Sequence, residues 1–339
     1  MAKTIIPRNL SNVFTTALRV LKSGNRIGIF QLFLYALSIP LIPLDVALGA
    51  IQGAFMTRTH IMRKPVIFIS GYSRSGTTLL YQALSKNWDV EYFNNVLILF
   101  PRSYILANYL YRKFSKARPA DFRSFYGLSR GLYGTNDGAQ IFYQWASEED
   151  FIYARRLQAR SAEDMEKFFR THERCFKKTL LTKNCNLYQM FAQFAEILPN
   201  SYFIFVKRDP EKIIQSTLKA REFVQGDRTI PWEVSYKNAR GGHEDPIEEI
   251  CRNVKYCFDR IEEFREKAPA GRFFVVEYEA FCKDPVKVIG ELTSGIFKTE
   301  VDYESIKARV KPFRASDGPA LDRADSERIQ DMVRKVFAP

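Results

Sequence analysis

The sequence has few residues that bind metals or form disulfides. Its 339 residues include three histidines and five cysteines. No two cysteines form a Cys-x-x-Cys pair, and His60, His172 and His243 lie far apart. A structural zinc site needs four such ligands, usually in closely spaced pairs. We therefore expect no metal centre and five reduced thiols, which is typical of a cytoplasmic protein.

The sequence also lacks charge over one N-terminal stretch, residues 27–44. This length is close to the lower limit for a membrane-spanning helix, and we predict that Pro40 and Pro43 break its second half and that Asp45 closes it. Residues 10–26 before it alternate apolar and basic side chains at helical spacing, which indicates an amphipathic helix. A signal peptide fits poorly, whereas a spanning anchor, a helix in one leaflet and a buried hairpin remain open. We favour contact with a membrane.

From residue 64 onward, short apolar runs alternate with helical segments. We divide the chain into residues 1–63, an amphipathic and hydrophobic helical extension, and residues 64–339, a single enzyme domain. Apolar runs at residues 65–70, 202–206 and 272–276 are typical of buried parallel strands, and helical segments lie between them. This alternation predicts an α/β fold of the P-loop type, with a parallel sheet that carries helices on both faces.

The charge balance is strongly basic, with a formal net charge of +13. A basic protein favours anionic partners such as nucleotides, nucleic acids or an anionic membrane surface. The positive residues are dispersed, and no nucleic-acid recognition motif is present. We therefore expect a nucleotide and a membrane surface as partners, and no nucleic acid.

A glycine-rich turn follows the first predicted strand and precedes a helix. Its sequence, GYSRSGTT over residues 71–78, is typical of loops whose backbone N–H groups cradle a phosphate. Loops that bind ATP place a lysine where this chain has Thr77, and here the cation stands earlier, at Arg74. We also find no clear acidic ligand for magnesium. An ATPase or GTPase is therefore disfavoured.

The residues around this turn, PVIFISGYSRSGTTLL, resemble the 5′-phosphosulfate loop of sulfotransferases that use 3′-phosphoadenosine 5′-phosphosulfate (PAPS). Arg208 and Ser216, separated by seven residues, resemble the 3′-phosphate motif of the same family. The resemblance extends from about residue 64 to residue 297, is nearest to bacterial sulfotransferases and is more distant to tyrosylprotein sulfotransferases. It implies PAPS as co-substrate, 3′-phosphoadenosine 5′-phosphate (PAP) as product and no metal. The expected PAPS-binding residues are Ser73, Arg74, Ser75, Gly76, Thr77, Thr78, Arg208, Ser216 and Arg240.

The resemblance also implies catalytic roles. Arg74 and Lys183 would stabilise the negative charge that develops on the leaving nucleotide. Tyrosylprotein sulfotransferases carry a glutamate base after the helix of this loop, and the corresponding residue here is Asn95, which cannot accept the proton. We therefore predict Glu148 or Glu149 as the general base.

Two further sites are weaker predictions. His172 and His243 are alternative bases. Arg240 and Gly242 lie in a segment, Arg-Gly-Gly-His, that we expect to form a loop over the adenosine or the 3′-phosphate.

Taken together, these features predict a sulfotransferase that acts on a hydroxyl group of a lipid, a glycolipid or a carbohydrate. We expect it in the cytoplasm, at the inner face of a membrane. The alternatives are a P-loop kinase or NTPase and an inactive nucleotide-binding membrane protein. The sequence predicts neither the acceptor nor the oligomeric state.

Overall fold

The fold is built on a parallel sheet, seen in a computed structural model that describes residues 13–115, 121–233, 245–315 and 322–338. The strands in this part of the chain are β1 (Val66–Ser70), β2 (Val90–Tyr92), β3 (Ser124–Phe125), β4 (Leu128–Ser129), β5 (Thr179–Lys183), β6 (Ser201–Lys207) and β7 (Phe273–Glu277). Five of them form one sheet in the order β2-β5-β1-β6-β7, with every neighbouring pair parallel. β3 and β4 form a separate antiparallel hairpin.

The helices connect these strands and cover them. They are α1 (Val13–Lys22), α2 (Arg26–Phe55), α3 (Thr77–Asn87), α4 (Val96–Leu99), α5 (Tyr104–Phe114), α6 (Ala139–Trp145), α7 (Glu148–Tyr153), α8 (Ala159–Phe176), α9 (Phe191–Ile197), α10 (Pro210–Gln225), α11 (Pro246–Lys267), α12 (Tyr278–Lys283), α13 (Pro285–Phe297), α14 (Tyr303–Arg309) and α15 (Arg323–Phe337). A 3-10 helix, Leu187–Met190, follows β5. The predicted α/β fold with its apolar N-terminal helix is confirmed.

The hydrophobic core lies on both faces of the sheet. Successive side chains of a strand point to opposite faces, and β1 follows this rule. Phe68 packs in one buried cluster with Phe203, whereas Ile67 and Ile69 pack in the other with Ile204. Since both faces are covered, an unbroken apolar run suits the central strand better than an alternating one.

Sequence reasoning found three strands of the sheet and missed two. β1, β6 and β7 coincide with the predicted apolar runs. β2 has only three residues, and β5 (TLLTK) contains two threonines and a lysine, so neither has a continuous apolar pattern. Both pair beside β1 and are recognisable only from that pairing.

The prediction for the N-terminal apolar segment was wrong in one respect. α2 continues through Pro40 and Pro43 and ends at Phe55, so neither proline breaks it and Asp45 does not close it. A proline removes one helical hydrogen bond and normally kinks or ends a helix. Here α2 packs along α4 and α5, and the buried carboxylate of Asp45 accepts hydrogen bonds from Arg102 and Ser103. These tertiary contacts hold the helix beyond its prolines.

Candidate functional site

The phosphate loop connects β1 to α3 at the carboxyl edge of the sheet. Gly76 caps α3 with a φ of +93°, a conformation that side chains disfavour. A Cβ atom at this position would lie 2.2 Å from the ring of Tyr278. The close approach of this ring and the left-handed backbone together require glycine. The loop is thus shaped by its own turn and by a residue 202 positions later in the chain.

The structure brings the two halves of the predicted nucleotide site into contact. The Arg74 Nε atom donates a hydrogen bond to Ser216 Oγ at 3.0 Å. Arg208 Nη1 donates to the backbone carbonyl of Arg74 at 2.8 Å. Arg208 stands at the end of β6 and Ser216 lies on α10, so the sheet and the following helix position them beside the loop. Arg208 and Ser216 are more than 130 residues from Arg74 in the sequence, so these contacts could not be predicted from their spacing.

Arg208 is almost completely buried, with 5% of its surface exposed. Its guanidinium stacks over the ring of Tyr278 at 4.7 Å, and its Nε lies 3.9 Å from a carboxylate oxygen of Glu279. The Tyr278 ring, which leaves no room for a side chain at position 76, therefore also supports the Arg208 guanidinium. We infer that the segment after β7 acts as a common support for both halves of the site.

The loop carries polar atoms that a phosphate would satisfy. Ser75 is fully buried, and its hydroxyl has no hydrogen-bond partner among the described residues. The nearby Thr77 hydroxyl lies 3.8 Å from the sulfur of Cys185, which is at most a weak contact. Buried polar groups are normally hydrogen-bonded, so a buried serine hydroxyl without a partner in a glycine-rich turn fits the binding of an oxyanion. These residues and the N-terminus of α3 fit the 5′-phosphosulfate of PAPS.

Lys183 lies at the same edge of the sheet. It ends β5, its Cα pairs in register with Ile69 of β1, and only 5% of its surface is exposed. Its ammonium has no ion-pair partner within the described ranges. Burial lowers the pKa of the Arg74 guanidinium below its ordinary value, and the nearby cation of Arg208 lowers it further. This concentration of buried positive charge would be stabilised by an anionic ligand.

A hairpin covers the loop. The turn between β3 and β4 places the Tyr126 ring 5.3 Å from the Arg74 guanidinium. The next residue, Gly127, lies beside the hydroxyl of Thr78. Tyr126 in turn stacks on Phe223 of α10, with ring centroids 5.0 Å apart. Sequence reasoning missed Tyr126, because a tyrosine in a short turn carries no motif.

Asn95, which replaces the expected glutamate, is a buried structural residue. Its amide nitrogen donates to the carbonyls of Ser129 at 2.8 Å and Gly131 at 2.7 Å. Its amide oxygen accepts from Asn136 Nδ2 at 3.3 Å. Asn95 therefore clamps the segment that follows β4. An acid that sequence reasoning overlooked, Asp137, comes directly after Asn136 and accepts a hydrogen bond from the backbone of α6.

The structure places the other predicted residues separately. Glu149 forms an exposed ion pair with Arg155 on α7, and Glu148 begins that helix, but its side chain lies outside the described structure. α7 packs on the 3-10 helix that follows Lys183 and β5. Arg240, together with Gly242 and His243, also falls outside the described residues. The prediction of Glu148 or Glu149 as base therefore stays a prediction.

His172 lies in the core. It is buried against Phe168 and Phe176 on α8, and neither ring nitrogen has a hydrogen-bond partner in the described parts of the chain. Burial, with a smaller contribution from Arg112, lowers the pKa of the imidazole to about 3. A base with so low a pKa is a weak proton acceptor at neutral pH.

Comparison with known proteins gives the family and the fold. A sequence model described as the sulfotransferase family matches residues 65–296, more than half of the chain. The fold is similar to sulfotransferase STF1 from Mycobacterium tuberculosis H37Rv, with a TM-score of 0.54 and 14% identity, covering 98% of this chain and 100% of that one. It is also similar to STF9 from Mycobacterium avium, with a TM-score of 0.57 and 14% identity, covering 98% and 96% of the two chains. No curated protein sequence matches.

The fold and the loop define an α/β protein that binds a phosphate group, and the family match makes its class specific: the chain belongs to the sulfotransferase family. The predicted enzyme class, a PAPS-dependent sulfotransferase, is confirmed. At 14% identity the two solved structures show the shared fold alone, but their coverage of 98% includes the N-terminal helices as well as the sheet.

Proposed function

We propose that this enzyme moves the sulfuryl group of PAPS to a hydroxyl group of a lipid, a glycolipid or a carbohydrate at a membrane. The observation that supports the choice of nucleotide most directly is the contact of Arg208 and Ser216 with Arg74. The 3′-phosphate and the 5′-phosphosulfate of PAPS are attached to the same ribose, so they need two basic positions that lie close together. Arginine suits both because its planar fork binds phosphate oxygens in pairs.

We assign roles in the transfer to the residues at the carboxyl edge of the sheet. Ser75, Thr77, Thr78 and the backbone N–H groups of the loop would hold the 5′-phosphosulfate. During transfer, a bond forms between the acceptor oxygen and sulfur, while the bond from sulfur to the bridging phosphate oxygen breaks. Arg74 and Lys183 would stabilise the negative charge that grows on that bridging oxygen. PAP leaves with the bonding electrons, and the acceptor proton passes to a general base.

For the base we propose Glu148 or Glu149, since α7 packs beside the turn that follows Lys183. Single amide variants, Glu148→Gln and Glu149→Gln, separate the two, and Asp137→Asn tests the acid beside Asn136. Loss of a general base reduces kcat by about 10²- to 10⁴-fold, whereas a surface carboxylate has almost no effect. If Glu148→Gln and Glu149→Gln both keep the kcat of the unaltered enzyme, this assignment is wrong, and a loss of kcat in Asp137→Asn alone would make Asp137 the base.

The proposed acceptor is membrane-borne because the N-terminal helix is apolar and mostly exposed. α2 is long and apolar enough to cross a membrane, and 17% of its most apolar 18-residue window is buried. A buried core helix would show the opposite. We place the enzyme in the cytoplasm at the inner membrane face, in keeping with its five free cysteines.

The decisive experiment measures nucleotide binding and turnover together. Isothermal titration calorimetry compares PAP with 5′-AMP, which lacks the 3′-phosphate, in the unaltered enzyme and in Arg208→Ala. We expect PAP to bind far more tightly than 5′-AMP, and Arg208→Ala to weaken PAP by about 100-fold with little effect on 5′-AMP. Arg323→Ala, at an exposed arginine, is the matched control. Equal affinity for PAP and 5′-AMP in the unaltered enzyme would refute the proposed nucleotide.

Turnover is then followed by transfer of labelled sulfate from PAPS to a lipid extract. Labelled product that requires Arg74 supports the reaction. A kinase or NTPase is not favoured, since Thr77 stands where those enzymes need lysine.

A further inference from the structure

α2 buries polar residues and exposes apolar ones, which is the opposite of an ordinary surface helix. Its polar residues Gln31, Asp45 and Gln52 are buried, with 1%, 1% and 4% of their surfaces exposed. From Ile27 to Phe55, every exposed residue is apolar, glycine or proline. The largest exposed side chains are Ile29, Phe33, Ile39, Ile42, Leu44, Val46 and Ile51. A surface helix in water normally shows the opposite arrangement. The apolar side of α2 is therefore built for a non-aqueous environment.

The three buried polar residues fasten α2 to the enzyme along its whole length. Gln31 donates to the Ser129 carbonyl at 2.8 Å. Asp45 accepts from Arg102 and from Ser103. Gln52 donates to the Arg102 carbonyl at 3.2 Å and accepts from a backbone amide of α5 at 3.1 Å.

These attachments bear on how α2 can meet a membrane. From Gln31 to Gln52 the helix rises about 32 Å, at 1.5 Å per residue. The hydrocarbon core of a bilayer is about 30 Å thick. If α2 spanned it, the polar groups attached along that length would be drawn into hydrocarbon, where unpaired backbone and charged groups are costly. The helix is free to enter a membrane only with its exposed side, lying parallel to the surface.

Two helices that pack against α2 also expose apolar side chains. α1 exposes Leu18 and Leu21 and is fastened to the end of α10, where Thr16 Oγ1 donates to the Val224 carbonyl at 2.8 Å. α5, which also packs against α2, exposes Tyr109, Leu110 and Phe114. An apolar cleft connects α2 to α5, and its lining residues are Phe55, Ile105, Leu106, Tyr109 and Cys175. We call the exposed sides of α1, α2 and α5 the membrane face.

The charges around this face select the partner. Residues 13–64 include six lysines and arginines but one acid, Asp45, which is buried against Arg102 and Ser103. Lys22 and Arg26 lie exposed at the junction of α1 and α2, and Lys113 lies exposed near Phe114. Basic residues close to a membrane surface attract anionic headgroups. A second protein copy would bring the same positive charges together, so an anionic lipid leaflet fits this face better than a dimer does.

We propose that α1, α2 and α5 dock the enzyme on one leaflet of an anionic membrane, with α2 lying in the plane of the interface and not crossing the bilayer. This proposal rests on the proposed membrane contact and defines its geometry. It also connects the leaflet to the site, because Gln31 of α2 holds Ser129 of the hairpin that carries Tyr126 over Arg74. A lipid acceptor would then reach the phosphate loop from the leaflet that binds the enzyme.

Vesicle binding by the full chain tests the docking. Vesicles of phosphatidylcholine with 30 mol% phosphatidylglycerol should sediment the enzyme, and pure phosphatidylcholine should bind it about 100-fold more weakly, since the three exposed cations Lys22, Arg26 and Lys113 each contribute about 1 kcal/mol. The triple variant Phe33→Ser/Ile39→Ser/Ile51→Ser should lose about 100-fold in vesicle affinity through its lost apolar contacts. Tyr303→Ser, at an exposed tyrosine on α14, should bind like the unaltered enzyme.

Depth measurements separate the in-plane helix from a spanning one. Phe33→Trp, Ile39→Trp and Ile51→Trp each report depth through quenching by lipids brominated at different acyl positions. Residues 33 and 51 are about 27 Å apart along the helix axis. We expect all three tryptophans at similar shallow depths, and depths that differ by most of that length would overturn the in-plane geometry.

PAP titration of the triple variant keeps this test separate from the proposed function. Docking on lipid is disproved if the triple variant binds vesicles as the unaltered enzyme does while PAP binding persists. It is also disproved if the enzyme ignores vesicles and sedimentation velocity shows a dimer that the triple variant loses. If the unaltered enzyme does not bind PAP, the nucleotide assignment is refuted, but the result on membrane docking is unaffected.

Discussion

The phosphate loop and α2 both bury polar side chains, but they do so for different reasons. In α2 the Asp45 carboxylate accepts hydrogen bonds from Arg102 and Ser103, so the protein itself compensates the buried charge. In the loop the Ser75 hydroxyl has no partner among the described residues, and the partly exposed cation Arg74 lies in contact with the buried cation Arg208. Polar groups that the protein satisfies hold the structure together. Polar groups left unsatisfied next to a cluster of like charge indicate where a ligand binds.

Replacement of Asp45 tests the structural side of this comparison and should have the largest effect. Asp45→Ala leaves the Ser103 hydroxyl and two backbone amides without their acceptor and should lower the free energy of unfolding by about 3–5 kcal/mol. Urea denaturation measures the change. Ile39→Ser, on the exposed side of the same helix, should stay within about 0.5 kcal/mol in the absence of lipid. A smaller loss for Asp45→Ala than for Ile39→Ser would reverse our interpretation of α2.

Gly76→Ala tests the ligand side. The new Cβ would meet the Tyr278 ring, and the positive φ would strain the loop, so the groups that hold the phosphosulfate should shift. Such a displacement lowers kcat/KM for PAPS by about 100-fold. Gly271→Ala is the matched control, because Gly271 has a φ of +70° with no atom within 4 Å of the new Cβ. It should cost about 1–3 kcal/mol in stability and leave kcat/KM unchanged.

His172 sharpens the comparison, because its buried ring nitrogens are neither hydrogen-bonded by the described protein nor part of the cation cluster at the loop. Its imidazole has a pKa of about 3 in the folded protein and an ordinary pKa of 6.5. Above pH 6.5 the ring is neutral in both states. Below pH 6.5 the unfolded chain gains a proton that the folded protein does not, so stability falls with falling pH, by about 2 kcal/mol at pH 5.

The variant His172→Phe removes this proton uptake. The difference in unfolding free energy between the variant and the unaltered protein should therefore shift in favour of the variant by about 2 kcal/mol from pH 7 to pH 5. The pH trend, measured by urea denaturation, matters rather than the absolute difference, since phenylalanine also changes the packing. Parallel stability curves would show that His172 does not titrate as the structure predicts.

Ser216→Ala should have the smallest effect. The Arg74 guanidinium loses its hydrogen-bond acceptor, and the 3′-phosphate would lose a hydroxyl donor, which together should raise the KM for PAPS about tenfold. Ser305→Ala on α14 controls for loss of a hydroxyl elsewhere. An unchanged KM would mean that Ser216 contributes to PAPS binding neither through Arg74 nor through the 3′-phosphate.

The sequence indicated those residues of the candidate nucleotide site that lie in short motifs, but not those that reach the site through packing. Arg74, Arg208 and Ser216 lie in short patterns that are readable because turns and strand ends are local. Tyr126 lies in a turn without a motif, and both Tyr126 and Tyr278 reach Arg74 and Arg208 only when the hairpin and the segment after β7 pack beside the loop. Asn95 was noticed as a missing base, but its role as a clamp on residues 129–131 depends on contacts that no spacing predicts.

What the sequence alone determined is the parallel α/β fold, the phosphate loop and the apolar N-terminal segment, because each follows from residue order over one strand, one turn or one helix. Tertiary structure decided that α2 continues through Pro40 and Pro43, that its polar residues face inward, and that Arg208 lies against Arg74. These features depend on residues far apart in the chain, whose contacts exist only once the sheet has assembled. Local patterns therefore indicate the nucleotide, and long-range packing determines which side of α2 is exposed for the membrane contact that we propose.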